Sequence, residues 1–282
     1  MGKELAACAK GGTPLDRNQL LTCLKDHLDS GKARLRHSFY ESNDGAVYVG
    51  MYAWTIDILL QLLYEETQKY FRGARDLAVV AVGGYGRGEM APYSDIDIMI
   101  LMPKNPTGAH TKFIEFMLYI LWDLGLKIGH STRSISESIA AARDDHTVLT
   151  SLLEMRHVAG DESLWARLSR AVQREIGKHK PLVFVEEKLA ERDVRHKRFG
   201  DTRYVVEPNV KDGKGGLRDL HSLFWIAKYA YRANSIVDIV KQGVLRDGEA
   251  RKFALAQRFL WTVRCHLHLQ AERPEERLDF EA

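Results

Sequence analysis

Cysteine is scarce in this chain. Cys8, Cys23 and Cys265 are odd in number, far apart and nowhere arranged as Cys-x-x-Cys. That excludes a disulfide framework and reads as reduced thiols of a cytoplasmic protein. An excess of one charge sign is lacking too. Forty-one Lys and Arg against 38 Asp and Glu leave a formal net charge of +3, too small to argue for nucleic acid or a membrane surface as partner. No apolar run approaches the length needed to span a bilayer, and the N-terminus has no signal-peptide core, so no membrane association is expected. Repeats and low-complexity segments are also missing. What remains is an ordinary globular composition, 45% hydrophobic and 28% charged over 282 residues. That length allows one large or two modest domains with a sizeable core.

One stretch organises the rest: residues 79–102, VVAVGGYGRGEMAPYSDIDIMILM. Two apolar runs, 79–82 and 96–102, read as strands. In a strand alternate side chains share a face, so Asp95 and Asp97 point one way while Ile96, Ile98 and Ile100 point the other. Paired carboxylates repel and resist burial unless something positive sits between them. Hard oxygen ligands of this kind suit Mg²⁺. Gly83 and Gly84, at the end of the first strand, let the backbone approach a phosphate and offer it N–H groups. The glycines match neither the P-loop, which needs a following Lys-Ser/Thr, nor the dinucleotide-binding spacing. A lone Asp-x-Asp also describes a plain half-exposed strand; the preceding Gly-Gly turns the reading toward a nucleotide-handling site. Residues between 84 and 95 are expected to hold a short helix with its N-terminus toward the phosphates. Arg87 either contacts the triphosphate or is a solvated loop arginine. Ser94 either donates to a phosphate or shapes the turn before the strand.

Around this unit the pattern is mostly helical. Residues 1–13 read as a disordered tail. Helices are expected over 15–42 and 47–71, broken at Gly45, with Trp54, Ile58, Leu62 and Tyr70 in the core of the second. Further helices are expected over 112–124, 136–143 (capped by Ser134 or Ser136), 146–157, two over 162–198 around Pro181, 217–233 and 251–270. A third strand is expected over 127–135, beside the aspartates. Residues 199–216, with Pro208, Gly213, Gly215 and Gly216, lack helical periodicity and read as a loop. His266 and His268, two apart on a helix, point to different faces and make a poor metal pair. A soft boundary near residue 170 separates a mixed domain, 14–170, from a helical one, 171–282.

Gly83-Gly84, ten residues, then Asp95-Ile96-Asp97 resembles the signature of the DNA polymerase β-like nucleotidyltransferases. EPNVKDGKGGLRDL, from residue 207, followed by His221 and the apolar 223–226, closely resembles the segment after the transferase core in bacterial bifunctional uridylyltransferase/uridylyl-removing enzymes, as does CHLHLQAERPEERLDF from Cys265. The likeness covers most of residues 30–282. It implies an α+β fold: a polymerase β-like core with a small mixed sheet flanked by helices, plus a helical domain. It also implies transfer of UMP from UTP to a tyrosine of the PII signal protein, with Mg²⁺ held by Asp95 and Asp97. Lys211, Lys214 and Arg218 are then expected to reach the triphosphate or pyrophosphate, a glycine-rich connector being the plain alternative. Many members carry a third carboxylate on the third strand, where this chain reads KIGHSTRSI with none. Glu154, Asp145 or a partial replacement by His130 are open alternatives. Adenylyl transfer, or a degenerate regulator that only binds nucleotide, are the other readings. The family's removal reaction belongs to an HD-type domain, and no His-Asp dipeptide occurs here. The resemblance thus implies an N-terminal transferase portion ending before that domain, with no removal activity and no glutamine response.

Overall fold

The structure, a computed structural model, describes residues 14–178, 180–199, 206–233 and 235–279; the expected tail over 1–13 lies outside them. The chain folds as two compact units. The first comprises residues up to 38, 50–90 and 94–174, the second 39–49, 91–93 and 175–282.

The first unit is α+β. Helices α1 (Arg17–Ser42) and α2 (Gly45–Tyr70) lead into β1 (Ala78–Ala81), a one-turn helix α3 (Gly83–Gly86) and β2 (Ile96–Leu101). Then follow α4 (Gly108–Asp123), β3 (Ile128–Arg133), α5 (Ile135–Asp144), α6 (His146–Leu153), β4 (Arg156–Gly160) and α7 (Glu162–Ile176). The four strands form one mixed sheet in the order β3-β2-β1-β4. β1 runs antiparallel to both β2 and β4, and β2 runs parallel to β3. β1 is buried on both faces, and this is why it reads as a continuous apolar run, VVA, without alternation. Helices cover the sheet through Leu59, Leu60 and Leu63 of α2 and Phe113, Met117 and Leu121 of α4, all buried. Tyr64 meets Phe113 edge-on at 5.1 Å between ring centres, and its hydroxyl donates to the Leu77 carbonyl at 3.0 Å. α5 begins where expected: Ser134 caps it, with Glu137 closing the capping box.

Four expectations change. The break between α1 and α2 is made by Asn43, in the left-handed region at φ 52°, and by Asp44, whose carboxylate accepts from the N–H groups of Ala46 and Val47; Gly45 opens the next helix. Trp54 and Tyr70 are not core residues, with 43% and 37% of their surface exposed. They flank the buried stripe of Ile56, Leu60, Leu63 and Thr67, and Tyr70 packs on Phe116 instead. The helix expected over 146–157 stops at Leu153, because residues 156–160 pair with β1 as the strand β4. Finally, α2 is long and apolar enough to cross a bilayer by length and composition, but more than half of its most apolar part is buried in the fold. Its Asp57 pairs with Arg156 and its Gln61 with the Val158 carbonyl, the contacts of a core helix.

The second unit is helical: α8 (Pro181–Arg198), α9 (Leu217–Tyr231), α10 (Ile236–Lys241) and α11 (Asp247–Ala271). α8 and α9 pack through Phe184 stacked on Tyr229 at 4.1 Å. Asp219, in the first turn of α9, does more than favour a helix N-terminus. It takes hydrogen bonds from His196, from Arg195 and from the Gly215 N–H, so it ties the 206–216 loop to α8. His266 faces Asn43 and Phe39, whereas His268 faces the Pro92 carbonyl and Glu276; the two imidazoles sit on different faces.

Glu276 is the electrostatic anchor of this unit. Burial alone would push its carboxyl up. His268 at 3.5 Å, the Arg264 guanidinium at 2.6 and 2.8 Å and Lys211 at 3.6 Å instead hold it down at about 2. A depressed carboxyl stabilises the fold above its unfolded value of about 4.3 and loses that contribution as pH falls toward 2, here about 3 kcal/mol. Urea unfolding should therefore show stability falling between about pH 4.5 and pH 2. In Glu276→Gln that acid-side loss should shrink, while stability at pH 7 drops by about 3 kcal/mol or more.

Candidate active site

β1 ends at Ala81 and the chain turns at once. Val82 still donates to the Asp97 carbonyl at 3.0 Å, extending the β1–β2 ladder by one rung. Gly83 then takes φ +58°, a conformation that side chains resist. The single turn of α3 follows, closed by Gly86 N–H to Val82 O at 2.9 Å and Arg87 N–H to Gly83 O at 3.1 Å. The N–H groups at the start of such a turn have no partner within it. This short helix begins at Gly83 itself rather than after Gly84, so the glycines form its opening.

On β2 Ile96, Ile98 and Ile100 are buried and Asp97 is exposed, whereas Met99 and Leu101, on the Asp97 face, are buried as well. Asp95 is also exposed, one residue before the strand begins. Asp97 is tightly seated. A Cβ at Gly129 on β3 would stand 2.2 Å from Asp97 Oδ1, and one at Gly83 would stand 3.4 Å from Oδ2. The carboxylate thus occupies the space that two absent side chains leave. Asp97 and Gly129 are register partners on parallel strands, so they share a face. Two exposed carboxylates two residues apart, with no cluster of three ligands among the described residues, fit a cation that keeps other oxygens among its ligands. Mg²⁺ binds in this way through one or two carboxylates. Among the described residues no cluster of three or more His, Cys, Asp or Glu could hold a metal alone.

The glycine turn is braced from below. Gly86 sits where a Cβ would meet the Glu154 carbonyl at 2.2 Å, so α3 packs on the end of α6. Arg87, expected either to contact a triphosphate or to be a solvated loop residue, is not solvated. Its Nε donates to Glu89 at 2.7 Å and its Nη1 to Glu154 at 2.8 Å, with only 12% of the side chain exposed. Burial opposes its charge, yet the two carboxylates win and raise its pKa. A second brace joins three elements. Asp57 of α2 accepts from Arg156 Nη1 at 2.8 Å, Arg156 Nη2 at 2.9 Å and the Tyr85 hydroxyl at 2.6 Å. Arg156 Nη2 also reaches the Tyr85 carbonyl at 3.3 Å. Burial, then Asp57, drives the Tyr85 phenol well above its ordinary pKa, so it stays a donor.

The candidates for a third carboxylate resolve as structural residues. Glu154 is buried against Arg87. Asp145 caps α6, accepting from the Thr147 N–H at 2.6 Å. His130 pairs in register with Ile98, on the face opposite Asp97, and lies against Trp122. On the Asp97 face β3 presents Gly129 and Ser131, so the gap noted in KIGHSTRSI is real.

Gly83, Gly84, Ser94, Asp95 and Asp97 all belong to the first unit, where Gly83 lies against Asp97 and Gly84 beside Arg87. Lys211, Lys214 and Arg218 belong to the second unit. Lys211 lies 3.6 Å from Glu276, Arg218 is 3.4 Å from Asp212 and lies over the Trp225 ring, and Lys214 is exposed. Gly129 and the Asp57–Arg156–Tyr85 brace went unnoticed in the sequence. A glycine on the strand beside Asp-x-Asp was a usable signal; a contact spanning 99 residues was not.

Residues 61–147 match the family described as nucleotidyltransferase domain, and residues 183–282 match that described as GlnD PII-uridylyltransferase. Among curated proteins the chain is similar to the bifunctional uridylyltransferase/uridylyl-removing enzymes of Rhodospirillum rubrum, at 48% identity over 94% of this chain, and of Bradyrhizobium sp., at 45% over 98%. It spans 29% and 30% of their lengths.

Removing one partner of a buried ion pair leaves the other uncompensated, which costs about 3–5 kcal/mol. Glu154→Ala should therefore lower the unfolding midpoint of the chain far more than Asp145→Ala, where only a helix cap worth about 1 kcal/mol is lost.

Proposed function

We propose that this chain, homologous over nearly its whole length to the bifunctional uridylyltransferase/uridylyl-removing enzymes and carrying their nucleotidyltransferase domain, transfers UMP from UTP to a tyrosine of the PII signal protein and releases pyrophosphate. The observation that carries the reading is the seat of Asp97 between Gly83 and Gly129, beside a turn whose opening N–H groups have no partner within it. Such a site has a place for phosphate oxygens and a place for the charge that neutralises them.

Asp95 and Asp97 would hold Mg²⁺, which would supply positive charge to offset the charge that develops on the α-phosphate and on the departing pyrophosphate. The chain's own residues do the positioning. The N–H groups of Gly83 and Gly84 bind the triphosphate and fix its path past the aspartates. Ser94, half-buried before Asp95, offers a hydroxyl to the same phosphates. Arg87 and Glu154 hold the glycine turn in place from beneath. The acceptor phenol attacks the α-phosphorus as the α–β bridging oxygen leaves with pyrophosphate, and the phenolic proton passes to solvent. Support for UTP and for PII comes from the relatives' names and the matched family description; support for a nucleoside triphosphate comes from the site itself.

The test is incubation of the chain with Mg²⁺, PII and each α-³²P nucleoside triphosphate in turn. Label on tyrosine from UTP is the expected result; label from ATP alone would replace uridylyl by adenylyl transfer. Asp95→Asn and Asp97→Asn should each cut transfer by roughly 10²–10³-fold or more, with circular dichroism and melting unchanged. Gly129→Ala should also lose about 10²-fold, because displacing a ligating group by about 1 Å is enough for that. Wild-type rates in any of the three would contradict the assignment.

A further inference from the structure

We propose that the arginine face of α7 is a docking surface for an acidic face of the protein acceptor, an inference that rests on the nucleotidyl-transfer reading above. α7 is sharply two-sided. Leu164, Leu168, Val172 and Ile176 are buried, while Arg167, Arg170 and Arg174 are exposed. Residues three and four apart share a helix face, so the three guanidiniums form one row. They line an open groove of about 650 Å³ together with Ser169, Gln173 and Ile135.

The row is short of counter-charge. Arg167 lies within electrostatic reach of Asp161, but Arg170 and Arg174 make no ion pair among the described residues. The whole chain has a formal net charge of only +3, so a row of three exposed arginines stands out against its overall balance. At about 1.5 Å of rise per residue the row spans about 10 Å. That is longer than one phosphate or carboxylate and matches several oxyanions spread over a surface. The guanidinium fork suits carboxylates bidentately and is lightly hydrated, which makes arginine the cation favoured in protein interfaces. The groove is open, and none of its lining residues is aromatic, so nothing in it would stack a nucleotide base. A protein surface rich in Asp and Glu fits better than a small polyanion. A transferase acting on a folded protein also needs attachment away from the reacting atoms, and α7 belongs to the same unit as Asp95 and Asp97.

The experiment compares the wild-type 282-residue chain with Arg170→Glu/Arg174→Glu. PII binding is followed by fluorescence anisotropy at several salt concentrations, and transfer from labelled UTP is followed alongside. The expected result is a tenfold or greater loss of PII affinity with a flattened salt dependence. KM for UTP and the melting temperature should not change, because both positions are exposed. Arg170→Lys/Arg174→Lys should keep most of the binding, which separates charge from packing. Equal PII affinity in wild type and the Glu variant, or no PII binding by the wild type, overturns the proposal. So does loss of inorganic triphosphate binding with PII binding intact, which would make the groove a small-anion site. If the wild type binds PII through this face yet transfers no nucleotide, the docking surface stands and the transferase reading falls. If both proteins transfer UMP with the same KM for PII, the reverse holds.

Discussion

Two carboxylates two residues apart at the start of a strand repel each other, and much of the first unit is arranged around keeping Asp97 where it is. Asp97 cannot drift toward β3 because β3 approaches with a glycine, and its oxygen fills the space of the missing side chain. It cannot drift toward the turn because Gly83 is close on the other side. Its backbone carbonyl is fixed by Val82. A side chain confined in this way has lost its rotamer entropy before any ligand arrives, and a pre-organised ligand holds its partner more tightly than a mobile one.

The braces beneath the glycine turn follow from the same need. The opening N–H groups of a one-turn helix have no partner within it, so the turn depends on packing from its neighbours to hold it in place. Arg87 does this from within the loop, by reaching two carboxylates, one of them on α6. Asp57, Arg156 and Tyr85 do it by joining α2, β4 and α3. Both networks carry buried charge, which is costly unless every partner is present. The glycine turn is thereby coupled to the packing of elements far from it in sequence, and changes in α2 or β4 should be felt at its backbone.

Much of this was legible in the sequence. The Gly-Gly at the end of one apolar run and the Asp-Ile-Asp opening the next are local patterns with local causes, namely positive φ and strand alternation. The Ser134 cap and the helices around Pro181 were readable for the same reason. What stayed hidden depends on partners brought in by the fold. RHVAG becomes a strand only because β1 has a free edge for it. The pairing of Arg87 with Glu154 spans 67 residues and left no local signal. His130 looks like a substitute for a missing acid until the register places it opposite Ile98. Trp54 and Tyr70 satisfy helical periodicity yet lie just off the buried stripe, since periodicity gives the spacing of a face but not its edges.

The glycine turn and the aspartate pair are proposed to act as one Mg²⁺-dependent triphosphate site. The most direct measurement is calorimetric titration of a non-hydrolysable UTP analogue into the wild-type chain and into Asp97→Asn, each with and without Mg²⁺. Binding should require Mg²⁺ in the wild type and be lost or weakened at least tenfold in the variant. Equal affinity in both proteins, or binding indifferent to Mg²⁺, would contradict a joint site.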